Sequence, residues 1–248
     1  MARPNFLICG TQKGGTKALL QYLSQHPDIS MYPKEINYFS WNYEKGDDWY
    51  VSHFLDNDYV GEKSPSYMLI EEVPERIYHF NPKMKLIFIL RDPVERAYSH
   101  YWMNVRLGKE KRTFSQAIRE PEKWNYYGVN MYLSRGKYEE KIERFRKYFP
   151  DDQILILSSN ELRMNPMDTM RKIRLFLGFR YFEFDFSIST KVGTRPRSKF
   201  ITRLLRHKFI RDFPLIGKYL QLYNNKSEPY PPMKLKDREY LENYYAKE

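Results

Sequence analysis

Phe6-Leu7-Ile8-Cys9-Gly10-Thr11-Gln12-Lys13-Gly14-Gly15-Thr16-Lys17-Ala18-Leu19-Leu20-Gln21-Tyr22-Leu23 reads as strand, glycine loop and helix. Phe6 to Cys9 is a continuous apolar run, and Ala18, Leu19, Tyr22 and Leu23 recur at helical spacing. The adjacent Gly14 and Gly15 let the backbone turn its N–H groups inward with no Cβ in the way. The helix that follows points its positive end at the same spot. Lys13 adds a mobile cation, Thr16 a hydroxyl and Lys17 a second cation. A phosphate or sulfate group suits that chemistry. Gly10 and Gly15 keep the glycine spacing of a Walker A loop, but Thr16 follows directly and the lysine sits earlier, at Lys13. Two readings stand here: a variant phosphate loop, or a glycine turn with chance lysines.

Further along, Lys85 to Leu90 is the clearest strand, apolar throughout and so expected to be central, parallel and buried on both faces. Arg91-Asp92-Pro93 ends it, with Asp92 as cap and Pro93 in the first turn of the next helix. Arg91 therefore belongs at a strand's carboxyl end, where ligands of open α/β sheets bind. Ser99 follows in that helix. This is a second strand-to-helix anion site, and a nucleoside with phosphates at both ends would use both. Ile29 to Tyr32 is a short strand candidate, followed by Pro33-Lys34-Glu35-Ile36-Asn37-Tyr38-Phe39. Tyr59-Val60 leads to Glu62-Lys63-Ser64-Pro65, with Lys63 at a strand end. Both Glu35 and Lys63 also read as plain surface residues. Helices are expected over 47–55, 73–80, 114–119, 138–148, 167–177 and 235–246, with a short one at 161–162, and a third clear strand over 153–157. Lys191 to Lys199 reads as a basic loop, a lid or a linker. Phe200 to Phe209 reads as a basic amphipathic helix, and Tyr223 to Pro232 as a polar loop.

The chain has 248 residues and a formal charge of +11. That length suits one α/β domain, with two small ones possible. The excess charge fits nucleic acid, an anionic surface, or an anionic cofactor and substrate, and does not choose among them. No run of about 18 apolar residues occurs, so no membrane span is expected. Met1-Ala2-Arg3-Pro4 leads straight into the first strand without room for a signal peptide. Cys9 is the only cysteine, which excludes an internal disulfide and favours a reducing, cytoplasmic location.

Taken together, these segments resemble the 3′-phosphoadenosine-5′-phosphosulfate (PAPS)-dependent sulfotransferases, in the heparan sulfate sulfotransferase branch with its soluble bacterial relatives. Thr11 to Leu19 is similar to that family's 5′-phosphosulfate loop. Arg91 to Ser99 is similar to its 3′-phosphate motif, and 33–39 and 62–65 to its acceptor-side segments. The resemblance spans roughly Asn5 to Leu205 and implies a single domain over 1–248. Its core would cover about 5–205, with 206–248 a helical extension whose ending inside a helix pattern suggests truncation.

The implied fold is a P-loop-like α/β open sheet, mainly parallel, with helices on both faces. The implied reaction is metal-free in-line transfer of a sulfuryl group from PAPS to an acceptor hydroxyl, on a carbohydrate or other alcohol. 3′-Phosphoadenosine-5′-phosphate (PAP) is the product. By position, Lys13, Gly14, Gly15, Thr16 and Lys17 would hold the 5′-phosphosulfate, with Lys13 at the leaving oxygen. Arg91 and Ser99 would hold the 3′-phosphate. Glu35 would be the base and Lys63 would neutralise charge near the transferred group. Gly193 and Arg195 would close over the cofactor, on a looser match. A base among cations would need partial burial against Tyr38 and Phe39 to keep its proton affinity. The resemblance implies no metal and no nucleic-acid partner. The alternatives are a P-loop nucleotide kinase, or a basic module binding nucleic acid or polysaccharide.

Overall fold

The computed structural model describes residues 2–122, 130–187, 194–204 and 214–247. They belong to two compact units, Met1–Asp92 with Tyr138–Thr190 and Pro93–Lys137 with Lys191–Glu248. In chain order the elements are β1 (Phe6–Gly10), α1 (Thr16–Leu23), β2 (Ile29–Met31), α2 (Tyr38–Trp41), α3 (Gly46–Val51), β3 (Tyr59–Lys63), α4 (Val73–Phe80), β4 (Lys85–Leu90), α5 (Pro93–Arg106) and α6 (Phe114–Arg119). There follow α7 (Glu139–Arg146), β5 (Ile154–Ser158), α8 (Ser159–Met164), α9 (Pro166–Leu177), β6 (Thr194–Pro196), α10 (Lys199–Leu204), α11 (Pro214–Asn224), β7 (Asn225–Pro229) and α12 (Leu235–Tyr245). Among the described residues no helix is long and apolar enough to cross a membrane.

The first unit is built on a five-stranded sheet in the order β2-β3-β1-β4-β5. Every pairing is parallel, so all carboxyl ends share one edge. The chain leaves β1 toward β2 and β3, and leaves β4 toward β5. The strand order therefore reverses between β1 and β4, the position where α/β sheets bind ligands. The expected central strand is fully buried over Leu86, Ile87, Phe88 and Ile89. One face packs Phe6, Ile8, Ile87 and Ile89 against Leu19 and Leu23 of α1 and Met170, Ile173 and Leu177 of α9. On the other face Phe88 meets Phe145 of α7 edge-on, ring centroids 4.9 Å apart. The expected α/β architecture, with helices on both faces, is what the chain adopts.

Local chemistry sets several boundaries. Gly178 closes α9 in the left-handed conformation at φ 94°, which costs glycine least. After α1, His26 is buried. Its Nδ1 accepts from the Asp28 N–H at 3.1 Å, so Nε2 is the protonated nitrogen and donates to the Arg180 carbonyl at 3.3 Å. Its ring packs on Phe179 and Phe182, tying the aromatic run after α9 to the end of α1.

In the second unit, Val94, Ala97, Tyr98, Tyr101 and Val105 of α5 form a core with Phe114 and Ile118 of α6, Tyr132 and Leu241 of α12. A Thr113–Gln116 capping box starts α6. The structure departs from the expected loop over 223–232, because Asn225–Pro229 is a strand paired antiparallel with Thr194–Pro196. Neither segment has an apolar period, since the pairing rests on backbone hydrogen bonds between distant stretches. The expected helix over 200–209 is a helix from Lys199 to Leu204, and its remainder lies outside the described residues. Pro214–Asn224 is a further helix, missed in the sequence reading.

Gly61 lies beside Phe6 in the β1–β3 register, and a Cβ there would come within 2.5 Å of the Phe6 ring. Gly61→Ala is expected to lower unfolding free energy by about 1–3 kcal/mol through overpacking, read by urea denaturation.

Candidate active site

Parallel strands deliver the candidate residues to one edge of the sheet. The chain turns at the end of β1 so that the Thr11 N–H donates to the Ile89 carbonyl of β4 at 2.7 Å, and the Gly14 N–H to the Thr11 carbonyl at 2.9 Å. A Cβ on Gly14 would lie 2.4 Å from that Ile89 oxygen. Only glycine lets the loop lie on the strand end. Lys13 takes φ 72° and Gly15 φ 107°, both left-handed, which turns successive N–H groups to one side. Helix α1 begins at Thr16 with Gly15 as its cap residue and no side-chain cap, so no capping side chain stands between its N-terminus and an anion. Thr16 is buried and Lys17 is exposed.

Arg91 follows β4, the strand next to β1, and its backbone carbonyl accepts from the Tyr138 hydroxyl at 2.8 Å. Lys63 ends β3, the neighbour of β1 on its other side, with Ile8 opposite it in the ladder. Lys63, Lys13 and Arg91 thus stand at, or just beyond, the carboxyl ends of three adjacent strands.

Glu35 joins this edge through its side chain. Its Oε1 accepts from Lys63 Nζ at 2.6 Å, with the Lys63 side chain 10% exposed and that of Glu35 47% exposed. The expected burial of Glu35 against Tyr38 and Phe39 is not what the structure has. Those rings are themselves buried. Tyr38 stacks on Tyr50 at 4.3 Å and donates to Asp47 at 2.7 Å. Phe39 packs edge-on to Tyr50 and Tyr67. An aromatic run directly after a carboxylate looks like its cover, but the left-handed turn at Asn37 (φ 54°) sends the rings into the core and leaves Glu35 outside.

Ser99 is buried on α5, in the second unit. Arg195 lies in β6 of that unit, and Gly193 lies outside the described residues.

One group at this edge was not singled out from sequence. Glu62 is fully buried. It accepts from Ser64 Oγ at 2.7 Å, from the Tyr67 hydroxyl, and from the Tyr50 hydroxyl at 3.4 Å. The Ile36 N–H is a further donor to it. Burial pushes its carboxyl from 4.5 up to about 7, against the pull of those hydrogen bonds. In sequence, Glu62 is only one residue of the 62–65 segment. The alternation of β3, which sends neighbouring side chains to opposite faces, is the signal that Glu62 turns inward.

A raised carboxylate binds a proton in the folded state that the unfolded chain has released. Stability is therefore lost as pH rises from about 4.5 to about 7, by about 3 kcal/mol if the whole shift is realised. Urea titrations from about pH 5 to about pH 8 are expected to show that slope in the native protein and a flatter one in Glu62→Gln.

The chain matches the sulfotransferase domain family over residues 3–186. It is 32% identical to the bifunctional heparan sulfate N-deacetylase/N-sulfotransferase 4 of Mus musculus, across 98% of this chain and 28% of that protein. It is 35% identical to the heparan sulfate glucosamine 3-O-sulfotransferase 5 of Mus musculus, across 70% of this chain and 53% of that protein. The chain thus spans about half the length of these relatives or less. Among solved structures, a sulfotransferase from Alicyclobacillus acidocaldarius aligns with a TM-score of 0.68 and 27% identity, over 89% of this chain and 96% of that one. Because the family match takes in most of the chain, with the Lys13 loop, Glu35, Lys63 and Arg91 inside it, this chain belongs to the sulfotransferase domain family.

Proposed function

We propose that this chain moves the sulfuryl group of PAPS to an acceptor hydroxyl, on a carbohydrate in keeping with the heparan sulfate relatives, and releases PAP. The observation that carries the proposal is the 2.6 Å Glu35–Lys63 pair, at the end of the strand next to the Lys13 loop. It sets an acid with a half-exposed side chain beside a phosphate-type cradle.

The cradle suits the donor. Gly14 has no space for a side chain against the Ile89 carbonyl, and α1 starts without a side-chain cap, so no side chain of the loop glycines or of a cap keeps an anion from the helix N-terminus. When bound, PAPS supplies the sulfuryl group and a bisphosphorylated leaving group. Lys13, Gly14, Gly15, Thr16 and Lys17 hold the 5′ end. Arg91 holds the 3′-phosphate, and Ser99 takes the same assignment from the sequence resemblance, as Arg195 and Gly193 do for closure over the donor. Lys13 neutralises negative charge growing on the leaving oxygen, which is worth most where water is excluded. Glu35 takes the acceptor's proton. Lys63 is buried and anchors Oε1, and Oε2 is the oxygen assigned to the acceptor hydroxyl. Positioning and charge stabilisation, with little covalent work by the protein, are what group transfer of this kind needs.

The test combines calorimetry with PAP and a transfer assay using labelled PAPS. De-N-sulfated heparin, its N-acetylated form and a simple phenol serve as acceptor probes, so that amine, sugar hydroxyl and phenol are distinguished. PAP is expected to bind without added metal. Lys13→Ala is expected to lower turnover by ~100- to 1000-fold, the scale of losing one charge-stabilising donor. Glu35→Gln is expected to lower kcat while the Kd for PAP stays within about twofold, a transition-state effect without ground-state loss. Binding of magnesium-ATP in place of PAP would overturn the reading in favour of a kinase. Steeply salt-dependent heparin binding that survives Lys13→Ala, with no transfer, would leave a binding module.

A further inference from the structure

Glu35 is held by more than its partner Lys63. The backbone that follows it is gripped at successive groups. The Ile36 N–H donates to buried Glu62, and the Ile36 carbonyl accepts from Asn42 Nδ2 at 2.7 Å. The Asn37 N–H donates to Ser64 Oγ at 2.9 Å, and that same hydroxyl donates to Glu62 Oε2 at 2.7 Å. Asn37 Oδ1 accepts from Ser66 Oγ at 2.6 Å. Glu62 therefore reaches Ile36 directly and Asn37 through one hydroxyl. Lys63, the next residue in β3, faces the other way and takes the Glu35 carboxylate.

The donor set matches an ionised carboxylate. Such a group has about four acceptor positions, and Glu62 meets Ser64, Tyr67, Tyr50 and the Ile36 N–H. Burying a carboxyl without a cation among these partners is costly, and a well-packed apolar residue would serve stability as well or better. Two of its four contacts lead into the turn that carries Glu35.

We infer that Glu62 is a positioning residue for the transfer reaction: through the Ile36 N–H and the Ser64 hydroxyl it holds the 35–37 turn in register with Lys63, so that Glu35 meets the acceptor in reactive geometry. This inference rests on the reading of Glu35 as the base. Glu62 itself touches neither donor nor acceptor. Gln at position 62 keeps the volume, but it turns an amide NH2 toward hydroxyl and N–H donors, so part of the grip is lost. Ser64→Ala cuts the link to Asn37 and leaves the Glu62 carboxyl in place.

The experiment uses Glu62→Gln, Ser64→Ala, the double variant and Glu35→Gln. It follows labelled sulfate transfer to the de-N-sulfated, N-acetylated heparin that offers sugar hydroxyls, PAP affinity, and hydrogen exchange of the Ile36 and Asn37 amides. Glu62→Gln and Ser64→Ala are each expected to lower kcat by ~10- to 100-fold, the scale of a displacement of about 1 Å, with the Kd for PAP unchanged within about twofold. The Ile36 and Asn37 amides are expected to exchange faster, while the Gly14 amide is not. The double variant is expected to fall no further than the worse single one, because both act through one turn. Unchanged kcat in Glu62→Gln, with Glu35→Gln inactive, overturns this inference alone. A parallel loss of PAP affinity also overturns it, since that marks general destabilisation. Full activity in Glu35→Gln removes the reading beneath it, and this inference with it. If Glu62→Gln does not fold, Ser64→Ala decides by the same kcat, Kd and exchange criteria.

Discussion

The site depends on one close approach, that of the Gly14 backbone to the Ile89 carbonyl. Parallel pairing of β1 and β4 brings their ends together, but a side chain at Gly14 would collide with the neighbouring strand at 2.4 Å. Without one, the Lys13 loop lies across the end of β4, and Arg91 emerges beside it. The switch point of the sheet then has Lys13 beyond the end of one strand and Arg91 beyond the end of the next. The same contact keeps the following helix pointed at that switch point, because Gly15 turns left-handed and hands the chain to α1 without a side-chain cap.

On the far side of β1, β3 provides a different kind of control. Successive residues of one strand face opposite ways, and here both grip the same neighbouring segment. Lys63 takes the Glu35 carboxylate, and Glu62 takes the backbone that follows it. An acid with a half-exposed side chain is thus attached to a buried, over-determined turn. The Glu35 side chain stays half-exposed, while the turn that follows it is held by groups behind it. The cost is carried by Glu62, whose burial raises its proton affinity against the pull of its hydrogen bonds.

The second unit has its own core on α5, α6 and α12 and a small antiparallel pair, β6 with β7. It carries Ser99 and Arg195, the candidates taken from the later motifs. Chain connectivity runs directly from Arg91 and Asp92 into α5, so one uninterrupted motif contributes to both units.

Local chemistry alone made much of this legible. The apolar runs of β1, β4 and β5, the Gly14-Gly15 loop and the Asp92-Pro93 helix start are short-range signals, because backbone sterics and continuous burial act over a few residues. The cations Lys13, Lys63 and Arg91 could each be placed at a strand end for that reason. What needed the folded chain were the pairings between distant segments. Glu35 and Lys63 meet because β2 and β3 are neighbours. Glu62 turns inward because of strand alternation and the aromatic core that receives it. Tyr38 and Phe39 go to that core rather than to Glu35 because Asn37 reverses the chain. The β6–β7 pair has no apolar period, since its order comes from hydrogen bonds between segments about thirty residues apart. A sequence states which groups are present and where the chain bends, whereas which groups share a hydrogen bond across the fold is decided only when non-local packing sets their separation.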